Sequence, residues 1–250
     1  MPTAVYDAID DYYLNFVQFG VNNPNSLYAQ TSDFLLKMAG DRKGKTVLDL
    51  CCGEGQLARE MVKLGARVTG IDVSQVNITA AREQAATHSK STFFLDDAQS
   101  LAKISDLQFD LVMCKMALMD IPNIDAAFKS VKRVLKPTGR FLTALLHPCF
   151  ETPFTVPFEP IEQNENGRFQ HHRVQRYFEE GHWSSGGTGV RGRVGAHHRK
   201  LSTLINSLQA AGIQLVRLEE PQFLIDEVDS LSYQWSQHIP GILFIAGQIA

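Results

Sequence analysis

Apolar and polar positions follow two alternating rhythms over the first two-thirds of the chain, predicting strands that alternate with helices, the pattern of a parallel sheet covered by helices. Thr46-Val47-Leu48-Asp49-Leu50 reads as a strand, Ala66 to Asp72 as a second, Thr92 to Leu95 as a short third and Phe109 to Cys114 as an apolar fourth. A helix is predicted between the first two strands from about Gln56 to Leu64, stopped at Gly65, and another from the N-cap Ser74 to about His88. Residues 26–39 form an earlier helix with Ser26 as N-cap and Gly40 as stop. Asn123 or Asp125 caps a helix through Leu135, and the turn Lys136-Pro137-Thr138-Gly139 leads into a fifth strand, Phe141 to Leu146.

The rhythm changes after residue 146. Residues 147–196 are rich in Pro, Gly, Arg, His and aromatics and lack a helical period; at that length they predict a lid or a small β insertion rather than a plain loop. Helical spacing returns from His198 to Ala211, with Leu201, Leu204, Ile205 and Leu208 on one face, and Ile213 to Leu218 and Ile242 to Ile249 supply two last strands. There is no internal repeat and no low-complexity segment.

Composition narrows the class. With 250 residues, 44% of them hydrophobic and 20% charged, the chain can bury one large α/β core and carry a small insert. Its net charge of −3 argues against a partner made of phosphate backbone. Met1 to Asp10 has no basic region followed by an apolar run, so no secretory signal is expected, and no run approaches the ~20 apolar residues of a membrane span. Cys51, Cys52, Cys114 and Cys149 make no C-x-x-C pair and read as small buried residues in a reducing compartment, so a cytoplasmic location is expected.

The segment Val47 to Gly55 carries the strongest chemical signal. A strand, a glycine turn and a helix together present backbone N–H groups and a helix N-terminus to a ligand. Gly53 to Ala58 also satisfies G-x-G-x-x-A, a dinucleotide pattern, which keeps a nicotinamide-dependent oxidoreductase open. Asp49 favours a different ligand, because a carboxylate there repels a pyrophosphate and attracts an ammonium or sulfonium. Asp72, 17 residues beyond Gly55 at the end of the next strand, can accept both hydroxyls of a ribose and suits either ligand.

Val47 to Gly55 resembles the first motif of the class I S-adenosylmethionine-dependent methyltransferases, and Gly70-Ile71-Asp72-Val73-Ser74 resembles the second. Phe94-Leu95-Asp96-Asp97-Ala98 is similar to the adenine-binding segment. Phe109 to Cys114, followed by Leu118-Met119-Asp120-Ile121-Pro122, is similar to the fourth-strand motif, and Val134 to Arg140 to the turn into the fifth strand. The matches come in the family's order over roughly residues 45–147. The resemblance implies a Rossmann-like three-layer α/β/α sandwich, mostly a seven-stranded sheet with an antiparallel last strand, plus a small insertion or lid. Along the chain it implies an N-terminal helical lid over 1–40, a cofactor-binding core over 41–146, a substrate-binding insertion over 147–200 and the rest of the core over 201–250.

The same resemblance implies S-adenosyl-L-methionine as cofactor, S-adenosyl-L-homocysteine as product, and in-line methyl transfer to O, N or C of a small molecule. Position by position, Asp49 contacts the methionyl amino group, and Gly53 and Gly55 allow backbone approach to the carboxylate. Asp72 holds the ribose, Val73 packs on the adenine, Asp97 accepts from the adenine amino group, the Ala98 N–H donates to the ring, and the Lys115 carbonyl lies near the sulfonium. Two positions depart from the pattern. Cys51 replaces the usual first glycine of the turn, at some loss of backbone freedom. Lys115 brings a cation, which must point away or meet an anion. A catalytically silent cofactor-binding sensor or scaffold, and an RNA methyltransferase, stay open as alternatives.

Ligands in such sheets sit beyond the carboxyl ends of the strands, which makes Asp120 and His147 the candidate general bases. Each has a plain alternative, a helix cap for Asp120 and a hydrogen-bonded structural histidine for His147. Tyr13 and Tyr6, in a segment with Tyr12, Phe16 and Phe19, are candidates to cover the cofactor, where an aromatic face stabilises a sulfonium; packing explains them equally. His171, His172, His182, His197 and His198 lack the i, i+4 spacing of a zinc motif, so no metal is expected. His197-His198-Arg199-Lys200 places cations at a helix start, where the dipole disfavours them, so either an anionic substrate group compensates or the helix starts later. Arg191-Gly192-Arg193 joins this basic stretch, but Glu179 and Glu180 lie in the same insert and no stacking motif accompanies it, so a mobile lid is expected rather than a nucleic-acid surface. The oligomeric state is open.

Overall fold

The computed structural model describes residues 5–85, 90–150, 162–164, 167–169, 174–184, 189–223 and 239–249. After a 3-10 turn, Val5–Ile9, come α1 (Asp10–Asn22) and α2 (Leu27–Ala39). The core then runs β1 (Thr46–Leu50), α3 (Gln56–Lys63), β2 (Arg67–Asp72), α4 (Gln75–Gln84), β3 (Ser91–Leu95), β4 (Phe109–Lys115), a 3-10 turn Leu118–Asp120, α5 (Ile124–Val134) and β5 (Leu135–Leu146). The insertion contributes β6 (Glu162–Asn164), β7 (Gly167–Phe169), β8 (Gly181–Trp183), α6 (Val190–Val194) and β9 (Ala196–His198). The chain closes with α7 (Leu201–Ala210), β10 (Ile213–Glu219) and β11 (Ile242–Ile249).

Seven strands form one sheet in the order β10-β11-β5-β4-β1-β2-β3. Strands β3, β2, β1, β4 and β5 run parallel, while β11 is antiparallel to both β5 and β10. Each face of the sheet buries its own core. One packs Phe128, Val131 and Leu208 from α5 and α7 against Val112, Phe141 and Ile245; the other packs Leu35, Met61 and Ile78 from α2, α3 and α4 against Val47, Met113 and Phe244. This is the expected three-layer sandwich with an antiparallel last strand. The strand order reverses between β1 and β4, so the crevice at their carboxyl ends is where such a sheet binds ligands.

Local signals place the helix starts. The Ser26, Ser74 and Asn123 side chains accept from the N–H of Ala29, Asn77 and Ala126, each at 3.0 Å. Three expectations need correction. The fourth strand is not wholly apolar: Asp110 accepts from Thr46 N–H at 2.8 Å and from Lys136 Nζ at 2.9 Å at the strand's amino end, which holds its carboxyl down to about 2. The residues read as the turn Lys136–Gly139 belong to β5, whose pairing with β4 shifts register between Phe109 and Leu111. The last helix starts at Leu201, because His197 and His198 are taken up by β9, which pairs antiparallel with β8. The expected end of α4 at His88 lies outside the described residues, as do His171 and His172.

Candidate active site

β1 delivers the chain into a turn that only unusual backbone geometry permits. Cys51, Gly53 and Gly55 have φ of 57°, 53° and 82°, so Cys51 adopts the left-handed conformation for which glycine is the natural choice, at a cost of roughly 1 kcal/mol. The turn is pinned by Cys52 N–H to the Ile71 carbonyl at 2.8 Å and by Gly55 N–H to the Cys52 carbonyl at 3.0 Å, and α3 starts directly after Gly55 without a capping side chain.

Two carboxylates bracket this turn. Asp49 is 2% exposed; burial pushes its carboxyl up to about 7 against the opposing pull of Lys115 and of a backbone hydrogen bond from Ala58. Its Oδ2 has no hydrogen-bond partner among the described residues, a costly state for a buried carboxylate and one that a cationic ligand group would relieve. Asp72, from β2, accepts from Gly53 N–H and from Ser74 N–H, each at 2.9 Å; burial raises its carboxyl and these bonds pull it back. Because a carboxylate offers roughly four lone-pair sites, Asp72 can serve the turn and still accept from ribose hydroxyls.

At the end of β3, Asp96 is consumed locally, accepting from the N–H of Asp97, Ala102 and Lys103 at 2.8–3.2 Å. Asp97 is half-buried and accepts from Gln99 N–H, Ala98 is buried, and Val73, beside Asp72, is 44% exposed. The Lys115 cation meets a cage from the helices. Its Nζ lies 2.9 Å from Ser32 Oγ and 2.9 Å from Gln56 Oε1, and 3.5 Å from the centre of the Tyr28 ring. Loss of hydration lowers this ammonium to about 7 while Asp49 and Glu54 oppose the shift.

The N-terminal segment folds over the turn. A Cβ added at Gly53 would lie 3.0 Å from the Tyr13 hydroxyl, and the Tyr6 and Tyr13 rings meet edge to face at 4.9 Å. Tyr6 donates to Asp120 Oδ2 at 3.0 Å, and Asp7 is hydrogen-bonded to Ser74 Oγ. Asp120 is also ion-paired with Arg191 of α6, whose Nη2 donates to the Tyr6 hydroxyl at 3.3 Å, and Arg193 lies over the Tyr12 ring at 4.3 Å. The N-terminal segment, the turn after β4 and the insertion therefore converge on Asp120. Nothing in a basic Arg-Gly-Arg run marks which carboxylate Arg191 will meet, so its part in the site is not legible in the sequence.

The structure also shows where His147 stands. It is 1% exposed; its Nε2 lies 2.6 Å from Glu220 Oε1 and its Nδ1 accepts from Cys149 N–H at 3.2 Å, so both ring nitrogens are engaged. Burial lowers its pKa, against the pull of Glu220. The basic run before α7 is compensated internally. Glu180 accepts from Lys200 N–H at 2.8 Å and pairs with Lys200 Nζ, and the Arg199 guanidinium donates to the carbonyls of Leu118 and Pro122 at 3.3 and 2.9 Å. An anionic substrate group is not needed to explain it. Among the described residues no group of three or more His, Cys, Asp or Glu could hold a metal ion, and no helix is long and apolar enough to cross a membrane.

A family model described as a methyltransferase domain matches residues 41–182. The chain is 32% identical to a ubiquinone biosynthesis O-methyltransferase of Photobacterium profundum over 46% of this chain and 49% of that protein. It is 34% identical to a malonyl-[acyl-carrier protein] O-methyltransferase of Pseudescherichia vulneris over 45% of this chain and 43% of that one, so it spans about half the length of these curated relatives. A solved structure from Listeria monocytogenes, named as an S-adenosylmethionine-dependent methyltransferase, is 28% identical; the match covers 89% of this chain and 99% of that one with a TM-score of 0.71.

Proposed function

This chain belongs to the class I S-adenosylmethionine-dependent methyltransferases, and from that premise we propose that it methylates a small-molecule acceptor held between the carboxyl ends of β4 and β5 and the insertion. The observation that carries the reading is the buried Asp49 carboxylate beside the glycine turn, with one oxygen lacking a partner among the described residues. A carboxylate there attracts an ammonium and repels a pyrophosphate.

Asp49 would take the methionyl amino group, and the turn through Cys51, Gly53 and Gly55 would bring its backbone to the carboxylate. Asp72 would hold the ribose, Val73 and Ala98 the adenine ring, Asp97 its amino group, and the Lys115 carbonyl the neighbourhood of sulfur. Tyr13 would close the site from above, with Asp120 and Tyr6 positioning it. His147 would act as a positioning residue, tying the end of β5 to Glu220. The bound cofactor supplies a methyl group on a sulfonium, and the chain's part is to orient the acceptor and exclude water. The net charge of −3 favours a small molecule over RNA, and four free thiols suit the cytoplasm.

Titration calorimetry tests the reading. Micromolar binding of both S-adenosylmethionine and S-adenosylhomocysteine, lost in Asp72→Ala, is expected. Binding of NADH with no heat from either adenosyl ligand would overturn it.

A further inference from the structure

Lys115 departs from the motif it stands in, and none of the roles described above uses its charge. Its β4 neighbour Met113 stands opposite Asp49 of β1. Side chains alternate along a strand, so Asp49 and Lys115 share the face on which Val47 and Met113 pack against α2 and α3. They are diagonal neighbours at the carboxyl ends of adjacent strands, where the strand order reverses.

Both charges are incompletely answered. Asp49 Oδ2 has no hydrogen-bond partner among the described residues. The Lys115 ammonium has three hydrogens to donate; it reaches Ser32 Oγ and Gln56 Oε1, each at 2.9 Å, and stands over the Tyr28 ring, all of them uncharged partners. Among the described residues no carboxylate is ion-paired with it, and Glu54, which acts on it, is taken by Arg59 at 2.6 Å. Asp49 and Lys115 do not neutralise each other directly. Helix groups hold them apart, Ala58 N–H on Asp49 and the Ser32 and Gln56 side chains on Lys115.

A dehydrated ammonium among neutral groups is unfavourable, and an anion that joins it relieves the penalty. Gln56 fixes where that anion would sit. It directly follows Gly55 and opens α3, whose first turn has no capping side chain, so the Lys115 head group lies beside the glycine turn and near backbone N–H groups that also favour an anion. One unsatisfied cation and one unsatisfied anion, side by side, are complementary to an α-amino acid, which carries both charges on one carbon.

Resting on the methyltransferase reading above, we propose that Lys115 and Asp49 form a zwitterion clamp, in which the Lys115 side chain pairs with the methionyl carboxylate of the bound cofactor while Asp49 takes its ammonium. Lys115 is then a specificity-determining residue. It favours adenosyl ligands that carry a carboxylate and disfavours decarboxylated ones, which bring a second cation toward an ammonium with nothing to offset it.

Titration calorimetry of the full chain with two ligands tests the clamp. S-adenosylhomocysteine carries the carboxylate, and its decarboxylated analogue keeps the adenosine, the sulfur and the amine. Wild type should bind S-adenosylhomocysteine at least about tenfold more tightly than the analogue. Lys115→Met keeps the length of the side chain and drops the charge. It should lose about 10- to 100-fold in affinity for S-adenosylhomocysteine and bind the analogue as well as wild type does, or better. Lys115→Gln, a second uncharged replacement, should behave alike and serves if the first does not fold. Equal losses on both ligands would make Lys115 structural, and undiminished affinity for S-adenosylhomocysteine in a folded variant would overturn the clamp. If S-adenosylhomocysteine fails to bind wild type, the methyltransferase reading itself falls.

Discussion

Asp120 in the turn after β4 and Arg191 in α6 form an ion pair across 71 residues of chain, with each side chain about one-fifth exposed (20% and 21%). Asp120 also accepts from Tyr6, and Arg191 donates to the Gly195 carbonyl at 2.9 Å, so one carboxylate anchors both the N-terminal segment and the insertion. Breaking the pair strands a partly buried charge and should cost more than a surface ion pair does.

Arg191→Ala is accordingly expected to destabilise the protein by about 1–3 kcal/mol. It should also speed amide exchange in α1 and the Val5–Ile9 turn while leaving the exchange of β1 and β2 unchanged. Hydrogen-exchange mass spectrometry reads this directly. Uniform acceleration across the sheet would instead make the pair part of the global core.

Asp49 sets a conflict between stability and binding. Its carboxyl is raised to about 7, so the folded state holds a proton that the unfolded state has already released between about pH 4 and 7, and ionising it destabilises the fold as pH rises through that window. Asp49→Asn should therefore raise the melting temperature of the ligand-free protein at pH 8 and weaken S-adenosylmethionine by tenfold or more. A lowered melting temperature with full affinity would contradict both halves.

The same carboxyl predicts a pH dependence of binding. The ligand's ammonium favours the ionised form, so binding below about 7 must expel the Asp49 proton. Affinity for S-adenosylhomocysteine should fall by up to about tenfold per pH unit below that point and level off above it. Calorimetry in buffers of different ionisation heat should detect the released proton, and Asp49→Asn should abolish the dependence.

Gly53→Ala strains the turn twice, through a φ of 53° and a Cβ placed 3.0 Å from the Tyr13 hydroxyl. A loss of about 1–2 kcal/mol is expected, with weaker cofactor binding because Tyr13 must shift. Tyr13→Phe in the same background should restore part of the loss in chemical denaturation.

Glu180 covers the amino end of α7, where Lys200 N–H and Nζ both reach it. Glu180→Ala should cost about 1 kcal/mol, the worth of a lost cap, and leave cofactor affinity unchanged. An unchanged melting curve would mean the Lys200 contacts contribute nothing.

What the sequence by itself determined is everything written in short-range hydrogen bonding and periodicity. Ser26, Ser74 and Asn123 cap the helices they precede because a side-chain oxygen reaches an N–H only three residues on. β1, the glycine turn and α3 were legible because strand period, turn residues and helix period follow one another without interruption, and Asp49 and Asp72 stand at strand ends whose direction that pattern sets. Only the tertiary structure decided which polar groups were left available. His147, just after β5, met Glu220, 73 residues further on. His197 was drawn out of an expected helix start into β9, because its N–H and C=O groups found a partner strand in β8. Arg191 met Asp120 rather than solvent or substrate. A side chain's remaining hydrogen-bonding capacity depends on what long-range packing brings against it, and no local pattern records that.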